Sequence, residues 1–270
     1  MDPKNIEKTS KDLWGKDLHK NLIAPVHSIQ LEEIFQSIWH ESLKGDLLEI
    51  GCGSGSDLAK FFELDCFDSI TAIDLGENVL EISEVYKLYP NIKITMGNAM
   101  NLEFQDCSFD MVYSFGIFHH TSDPVKCFSE ACRVLKNGGK IFLYVYSSHE
   151  NFFFKRFGIQ LEVILMKIMK FMPYKIKNFL CIVLSPFCWA IFSVPSIFIK
   201  LFGGKKFTKK IPFYWGTHPF SLIPDLKDRL MSPINHRFSY ADIQSILENL
   251  KLSSFKIEDR ASGMYIYAKK

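Results

Sequence analysis

Two rhythms of apolar residues alternate between residues 46 and 146. Short, nearly continuous apolar runs at residues 47–50, 69–73, 92–96, 109–114 and 140–146 read as strands buried on both faces. Between them the apolar positions take a helical period. Leu58, Phe61 and Phe62 mark one face of a helix over residues 57–64. A second helix over residues 77–88 is closed by Tyr89-Pro90, and a third covers residues 123–135. The third has Asp123 as its N-cap, Pro124 in its first turn and Asn137-Gly138-Gly139 as its stop. Strand–helix alternation at this interval predicts βαβ units and a parallel sheet. Near the C-terminus the pattern predicts a helix over residues 239–250 and strands over 254–258 and 264–268. The five residues between those strands suit a hairpin, so the last pair is expected to be antiparallel. At the other end Ile29, Ile34, Phe35 and Ile38 recur at helical spacing before Trp39, and residues 1–45 read as helices.

The first strand carries the strongest chemical signal, Leu47-Leu48-Glu49-Ile50-Gly51-Cys52-Gly53-Ser54-Gly55-Ser56. An acid ends the strand and three glycines follow at alternate positions. Glycine permits positive φ and lets a ligand approach the bare backbone. A ligand over such a turn meets the open N–H groups of the following helix. The dinucleotide fingerprint G-x-G-x-x-G wants its third glycine where Ser56 stands, so the spacing opposes a nicotinamide-dependent oxidoreductase. Taken alone, the loop is also compatible with an ordinary βα turn.

With 270 residues the chain accommodates one large α/β domain, or a domain with an insertion. Net charge is +2, too balanced to imply nucleic-acid binding. The seven cysteines show neither paired metal spacing nor a small-domain disulfide pattern, which fits a reducing cytosol and no metal. The first residues are polar and charged, without the apolar core of a secretory signal. The overall balance conceals an asymmetry. Residues 151–215 hold eleven Lys and Arg but one acid, Glu162, in the most apolar part of the chain.

The order of motifs resembles the class I S-adenosylmethionine-dependent methyltransferases, near the group that contains the quinone-biosynthesis C-methyltransferases. Six landmarks between Leu47 and Tyr146 carry the resemblance: Glu49-x-Gly51-x-Gly53-x-Gly55, Asp74, Gly97-Asn98-Ala99, Ser108-Phe109-Asp110-Met111-Val112, Gly116-Ile117-Phe118-His119-His120, and Arg133-Val134-Leu135-Lys136-Asn137-Gly138-Gly139. A looser match runs through Asp228-Arg229-Leu230-Met231-Ser232-Pro233, His236 and Tyr240-Ala241-Asp242-Ile243. The resemblance implies a Rossmann-like fold: a seven-stranded, mostly parallel sheet with an antiparallel last strand and a helical insertion. It implies S-adenosylmethionine as cofactor. Its methionyl end would lie over Gly51, Cys52, Gly53 and Gly55 with Glu49 facing its amino group, its ribose at Asp74 beside Leu75, and its adenine at Asn98 and Ala99. A carboxylate offers the ribose two acceptor oxygens and no donor. The family usually has Asp where Asn98 stands; Asn still accepts through its carbonyl oxygen when the amide is correctly turned. Ser114 and Phe115 end the fourth strand, where ligands gather on a parallel sheet. Turn or cap geometry alone would also account for Asp74 and Asn98, and a solvated strand edge for Glu49.

Methyl transfer to a hydroxyl or a carbon acid needs a base. His120 is the first candidate and His119 the second, because imidazole titrates near neutrality. His218, Asp228 and His236 form a second tier. The expected organisation is N-terminal helices (1–45), the cofactor-binding core (46–147), a basic apolar helical insertion (148–217) and a C-terminal helix and hairpin completing the sheet (218–270). Residues 178–199 carry no charge and reach the length of a membrane span, but Pro186 and Pro195 interrupt them. Short helices are therefore expected, either as a cap or lid over a small-molecule or lipid-linked acceptor, or as a contact with an anionic membrane surface. A spanning helix is a third reading. The protein is expected in the cytoplasm, peripheral on the membrane face, acting as a methyltransferase. A non-catalytic, membrane-associated cofactor-binding module is the other class to separate.

Overall fold

A computed structural model describes residues 43–150, 152–208, 210–260 and 263–270. The helices expected before residue 43 lie outside the described residues. Five strands run parallel: β1 (Asp46–Ile50), β2 (Ser69–Asp74), β3 (Ile92–Met96), β4 (Phe109–Phe115) and β5 (Leu135–Val145). Helices α1 (Ser56–Leu64), α2 (Asn78–Tyr86) and α3 (Pro124–Val134) fall among them. The last two strands, β6 (Ser254–Asp259) and β7 (Met264–Lys269), form an antiparallel pair, and β7 pairs antiparallel with β5. The sheet order is β3-β2-β1-β4-β5-β7-β6, so β7 alone opposes the other six strands. This is the Rossmann-like class I methyltransferase arrangement implied by the sequence resemblance.

Alternating side chains build a core on each face of the sheet. Leu48, Ile50, Val112, Ile141 and Leu143 pack with Phe128 and Ala131 of α3, and with Ile243 and Leu247 of a later helix. Their neighbours Leu47, Met111, Tyr113, Phe142 and Tyr144 pack on the other face with Leu58 and Phe61 of α1 and Val79 of α2. One boundary departs from expectation. Strand β5 begins directly after α3 at Leu135, because that fully buried residue pairs with Phe109. The expected glycine stop is instead a bulge within the strand: pairing resumes only at Lys140 opposite Met111.

The helical insertion leaves and returns at the carboxyl tip of β5. Phe238 N–H donates to Tyr146 O (3.0 Å) and Ser148 N–H donates to Phe238 O (2.8 Å). The insertion is therefore anchored at the carboxyl edge of the parallel strands. It contains α4 (Phe153–Met169), α5 (Tyr174–Cys188), a π turn (Trp189–Ser193), α6 (Val194–Leu201) and α7 (Lys205–Thr208). Contrary to the expected short helices, Tyr174 to Leu201 is one continuous 28-residue helical rod. Pro186 removes a donor and crowds the preceding turn, and the π turn just beyond it absorbs the misfit. Helix α8 (Ile223–Met231) packs onto the insertion, where Leu222, Leu226, Leu230 and Met231 meet Met169 and Cys181 in a third core. Helix α9 (Tyr240–Glu248) returns to the sheet. Its start has Ser239 and Asp242 side chains capping each other's backbone N–H, a capping box.

Candidate active site

Three glycines shape the turn after β1. Gly51, Gly53 and Gly55 all have positive φ (84°, 53° and 78°). A Cβ on Gly51 would lie 2.1 Å from Ile117 Cγ1, so no side chain fits there. Asp74 at the tip of β2 holds the turn from below. Its Oδ2 accepts from Gly53 N–H (3.0 Å) and its Oδ1 from Gly76 N–H (2.8 Å). Each oxygen has a second lone pair with which to meet further donors. The amide of Asn78 donates to Gly53 O. That second clasp was not foreseen, because an Asn at a helix start reads as an ordinary cap.

Glu49 is only 2 % exposed, and its Oε2 has no hydrogen-bond partner. Burial, with the nearby carboxylates of Asp57 and Asp74, pushes its carboxyl well above the usual range. Asp57 also accepts a hydrogen bond from Tyr113 Oη (2.7 Å). Three carboxylates thus surround the glycine turn. Such a cradle favours a ligand bearing positive charge and repels a pyrophosphate. S-adenosylmethionine has both a sulfonium and an ammonium, and the unpartnered acceptor of Glu49 suits the latter. The residues present therefore fit this cofactor, and they fit a dinucleotide badly.

Asn98 Oδ1 accepts from Met100 N–H (2.9 Å), closing an Asx turn that presents buried Ala99. Leu75, next to Asp74, is half-buried. Cys52 packs into the core, and burial raises its thiol well above the ordinary value. Ser114 donates to Ile50 O (2.8 Å) and ties the tips of β1 and β4 together, so its hydroxyl is committed to the scaffold. Phe115 stacks on Tyr144 (4.2 Å) and continues the aromatic floor toward β5.

Past β4 a 3-10 turn (Phe118–His120) delivers two buried imidazoles. His120 Nδ1 lies 2.8 Å from Ile234 O and 3.0 Å from Ser232 Oγ, whose hydroxyl also reaches Ile234 O (2.7 Å). Its Nε2 lies 3.3 Å from Asp228 Oδ1. Burial would raise the Asp228 carboxyl, but His120, the Tyr146 hydroxyl and Arg229 hold it below its ordinary value. Tyr146 Oη donates to Asp228 Oδ2. His119 stacks on Tyr146 (3.9 Å), and neither of its ring nitrogens has a partner. Burial, followed by the adjoining His120 ring and the cations Arg237 and Arg229, keeps it neutral, well below 6.5. His236 fastens the turn: its N–H donates to His119 O (2.8 Å) and its Nε2 to Thr121 O (3.1 Å). The four histidine and aspartate candidates His119, His120, Asp228 and His236 thus converge, although more than a hundred residues separate the two pairs. His218 does not join them; it is exposed, and its ring accepts from Phe220 N–H.

A charged cluster missed in the sequence lies beside them. Glu162 of α4 accepts from Arg229 (3.3 Å), Asn235 (3.1 Å) and Arg237. Both guanidinium groups lie over the Tyr146 ring, at 5.2 and 4.6 Å. Arg229 Nε and Asn235 Oδ1 are buried without partners. The available signal was Glu162 itself, a lone acid in a strongly basic apolar segment. Among the described residues no group of three His, Cys, Asp or Glu is placed to hold a metal.

Residues 48–143 match the family model described as a methyltransferase domain. A probable S-adenosylmethionine-dependent methyltransferase of Mycolicibacterium smegmatis is 30% identical over 141 residues, covering 51% of this chain and 52% of that protein. Demethylmenaquinone methyltransferase of Staphylococcus haemolyticus is 32% identical over 118 residues (43% and 48%). The ubiquinone/menaquinone biosynthesis C-methyltransferase of Rickettsia rickettsii is 31% identical over 152 residues (52% and 60%). The chain thus spans about half the length of the curated relatives it matches. A solved Methanococcus maripaludis structure, named as an S-adenosylmethionine-dependent methyltransferase, aligns with 99% of this chain and 91% of its own at 20% identity, with a TM-score of 0.48. Residues 48–143 of the chain are thus a methyltransferase domain, and S-adenosylmethionine is the cofactor that this family and the glycine turn imply.

Proposed function

We propose that the protein transfers a methyl group from S-adenosylmethionine to an oxygen or carbon acid of an amphiphilic small-molecule or lipid-linked acceptor. The observation that carries this reading is the buried, unpartnered Glu49 oxygen above a glycine turn held by Asp74. Glu49, Asp74 and the turn Gly51–Gly55 hold the cofactor, with Leu75, Asn98 and Ala99 at its nucleoside end. When bound, S-adenosylmethionine supplies a methyl group on a positively charged sulfur that departs as a neutral thioether. The chain's own contribution is alignment, exclusion of water and handling of one proton.

His120 Nε2 and Asp228 Oδ1 are the pair that takes that proton. Nδ1 is engaged by Ile234 O and Ser232 Oγ, which leaves Nε2, facing Asp228, as the exchanging nitrogen. Asp228, 3.3 Å from that nitrogen, stabilises the imidazolium that forms by direct charge pairing. Tyr146 and His236 act on this pair indirectly, the first by orienting Asp228 and the second by fixing the turn. Arg229 and Arg237 offer donors to the acceptor's polar end, and neutral His119 offers one donor and one acceptor nitrogen. The names of the quinone-biosynthesis relatives, one of them a C-methyltransferase, support a quinone-like acceptor methylated on carbon. Seven cysteines without a disulfide support a reducing, cytoplasmic setting.

The test is to incubate the full chain with S-adenosylmethionine and either demethylmenaquinol or a total lipid extract. Mass spectrometry then follows S-adenosylhomocysteine and lipid products heavier by CH₂. Both are expected to accumulate together, and to be suppressed by His120→Ala. Binding of the cofactor with no turnover on any extract would favour the non-catalytic module.

A further inference from the structure

Helix α4 is inside-out. Its buried residues include Lys155, Glu162 and Met169, spaced seven apart on one face. Its exposed face carries Phe153, Phe157, Leu161, Ile164 and Ile168, spaced four, four, three and four apart. A soluble amphipathic helix has the opposite polarity. The rod from Tyr174 to Leu201 repeats the inversion. Its inward positions include Cys181, Ser185, Ser193 and Ser196, all fully buried. The three serines donate to the backbone oxygens of Pro219, Phe213 and Phe192. Phe179, Phe187 and Phe198 stand outward, with Phe171 and Phe202 86 % and 89 % exposed beyond the ends. An apolar surface of this extent marks an interface.

Charge identifies the occupant. Arg156, Lys167, Lys170, Lys175 and Lys210 are exposed on the same unit. Its one acid between residues 151 and 215, Glu162, is buried against Arg229 and Arg237. An outward face with cations, bulky apolar side chains and no acid complements an anionic lipid surface. It repels a second copy of itself. The inner side of the rod is already taken: Ser185 and Ser193 bind the returning segment, and α8, which carries Asp225, Lys227, Asp228 and Arg229, packs alongside. Only the outer half is available to lipid, which favours lying in the interface over crossing it.

We propose that α4, α5 and α6 dock the protein on an anionic bilayer, with their outward apolar faces in the headgroup region. This holds whether or not the chain transfers methyl groups. If it does, α4 becomes the wall between the bilayer and the His120–Asp228 site, and a lipid-borne acceptor has the shortest route to that site.

The experiment is flotation of the full chain with phosphatidylcholine vesicles, with and without phosphatidylglycerol, at low and high salt. Cofactor affinity and light-scattering mass are measured in parallel. Co-flotation with the anionic vesicles, weakened by salt, is expected. Lys167→Gln/Lys170→Gln/Lys175→Gln should reduce partitioning about a hundredfold, each cation near such a surface contributing about fivefold. Phe157→Ser/Phe171→Ser/Phe179→Ser should also release the protein. Both variants should keep wild-type cofactor affinity, which separates failed docking from failed folding or a failed cofactor site. Absence of anionic-vesicle binding at low salt overturns the proposal. So does undiminished binding by both variants, or a dimer in lipid-free buffer that the phenylalanine variant dissolves while vesicles bind neither form.

Discussion

Glu49→Gln should make the protein more stable and a poorer cofactor binder at the same time. Glu49 is buried beside Asp57 and Asp74 with one oxygen unpartnered, so ionising it in the free protein leaves a buried charge uncompensated. Its folded pKa is raised, so the folded state holds a proton that the unfolded chain releases near 4.5. Stability attributable to this group therefore falls as pH rises from 4.5 toward the raised folded value, and stays low above it. Glutamine removes that loss. An unsatisfied buried group costs about 1–3 kcal/mol, and recovering about 1 kcal/mol raises the melting temperature by about 2–4 °C in a chain of this size. The gain should be present at pH 8 and vanish near pH 4.5. Cofactor binding moves the other way. Deleting one charge of a buried pair costs about 2–5 kcal/mol, so the dissociation constant for S-adenosylmethionine should rise by about 30-fold to several thousandfold. Wild-type affinity should also weaken as pH falls, because the ammonium needs the carboxylate ionised, whereas the Glu49→Gln variant should lose that dependence. Thermal melts and isothermal titration from pH 5 to 8.5 measure both. Unchanged affinity, or a lower melting temperature at pH 8, would refute the reasoning.

Further substitutions probe the rest of the site. Asp74→Asn replaces one carboxylate oxygen and should orphan Gly53 or Gly76 N–H; a bond to a charged acceptor is worth about 1.5–3 kcal/mol, so titration should show about 10- to 150-fold weaker cofactor binding. His120→Ala should lower kcat by about 10²–10⁴-fold with cofactor affinity nearly unchanged, and Asp228→Asn should lower kcat and alter its pH profile; lost cofactor binding would contradict the assigned roles. Gly51→Ala places a methyl 2.1 Å from Ile117 at φ 84°, so calorimetry should find it destabilised and unable to bind cofactor. Adding Ile117→Ala should recover part of the melting temperature, leaving about 1–2 kcal/mol of backbone strain.

The sheet was legible in the sequence because both its faces are buried, which leaves each strand as an apolar run and each helix with one apolar face. Glu49, the glycine turn and Asp74 were legible for a related reason: their chemistry depends on residues close in sequence at the tips of β1 and β2. The acceptor side was only half visible. His119 and His120 follow β4 directly, but their meeting with Asp228 depends on how α8 packs against α4 and α5. The role of Glu162 is likewise invisible without the two arginines folded over Tyr146. The expected break at Pro186 failed because a π turn relieves a proline locally without ending the helix. The same pattern that named the insertion apolar and basic gave no facing, since an inverted helix has the period of an ordinary one.

Every step proposed for this chain requires a cationic nucleoside in the carboxylate-lined glycine turn. Isothermal titration of the full chain with S-adenosylmethionine, with NADH as the control titrant, tests this most directly. One saturable site for S-adenosylmethionine, weakened by Glu49→Gln and by Asp74→Asn, with no heat from NADH, is the predicted result. Saturable NADH binding with no response to S-adenosylmethionine would contradict it.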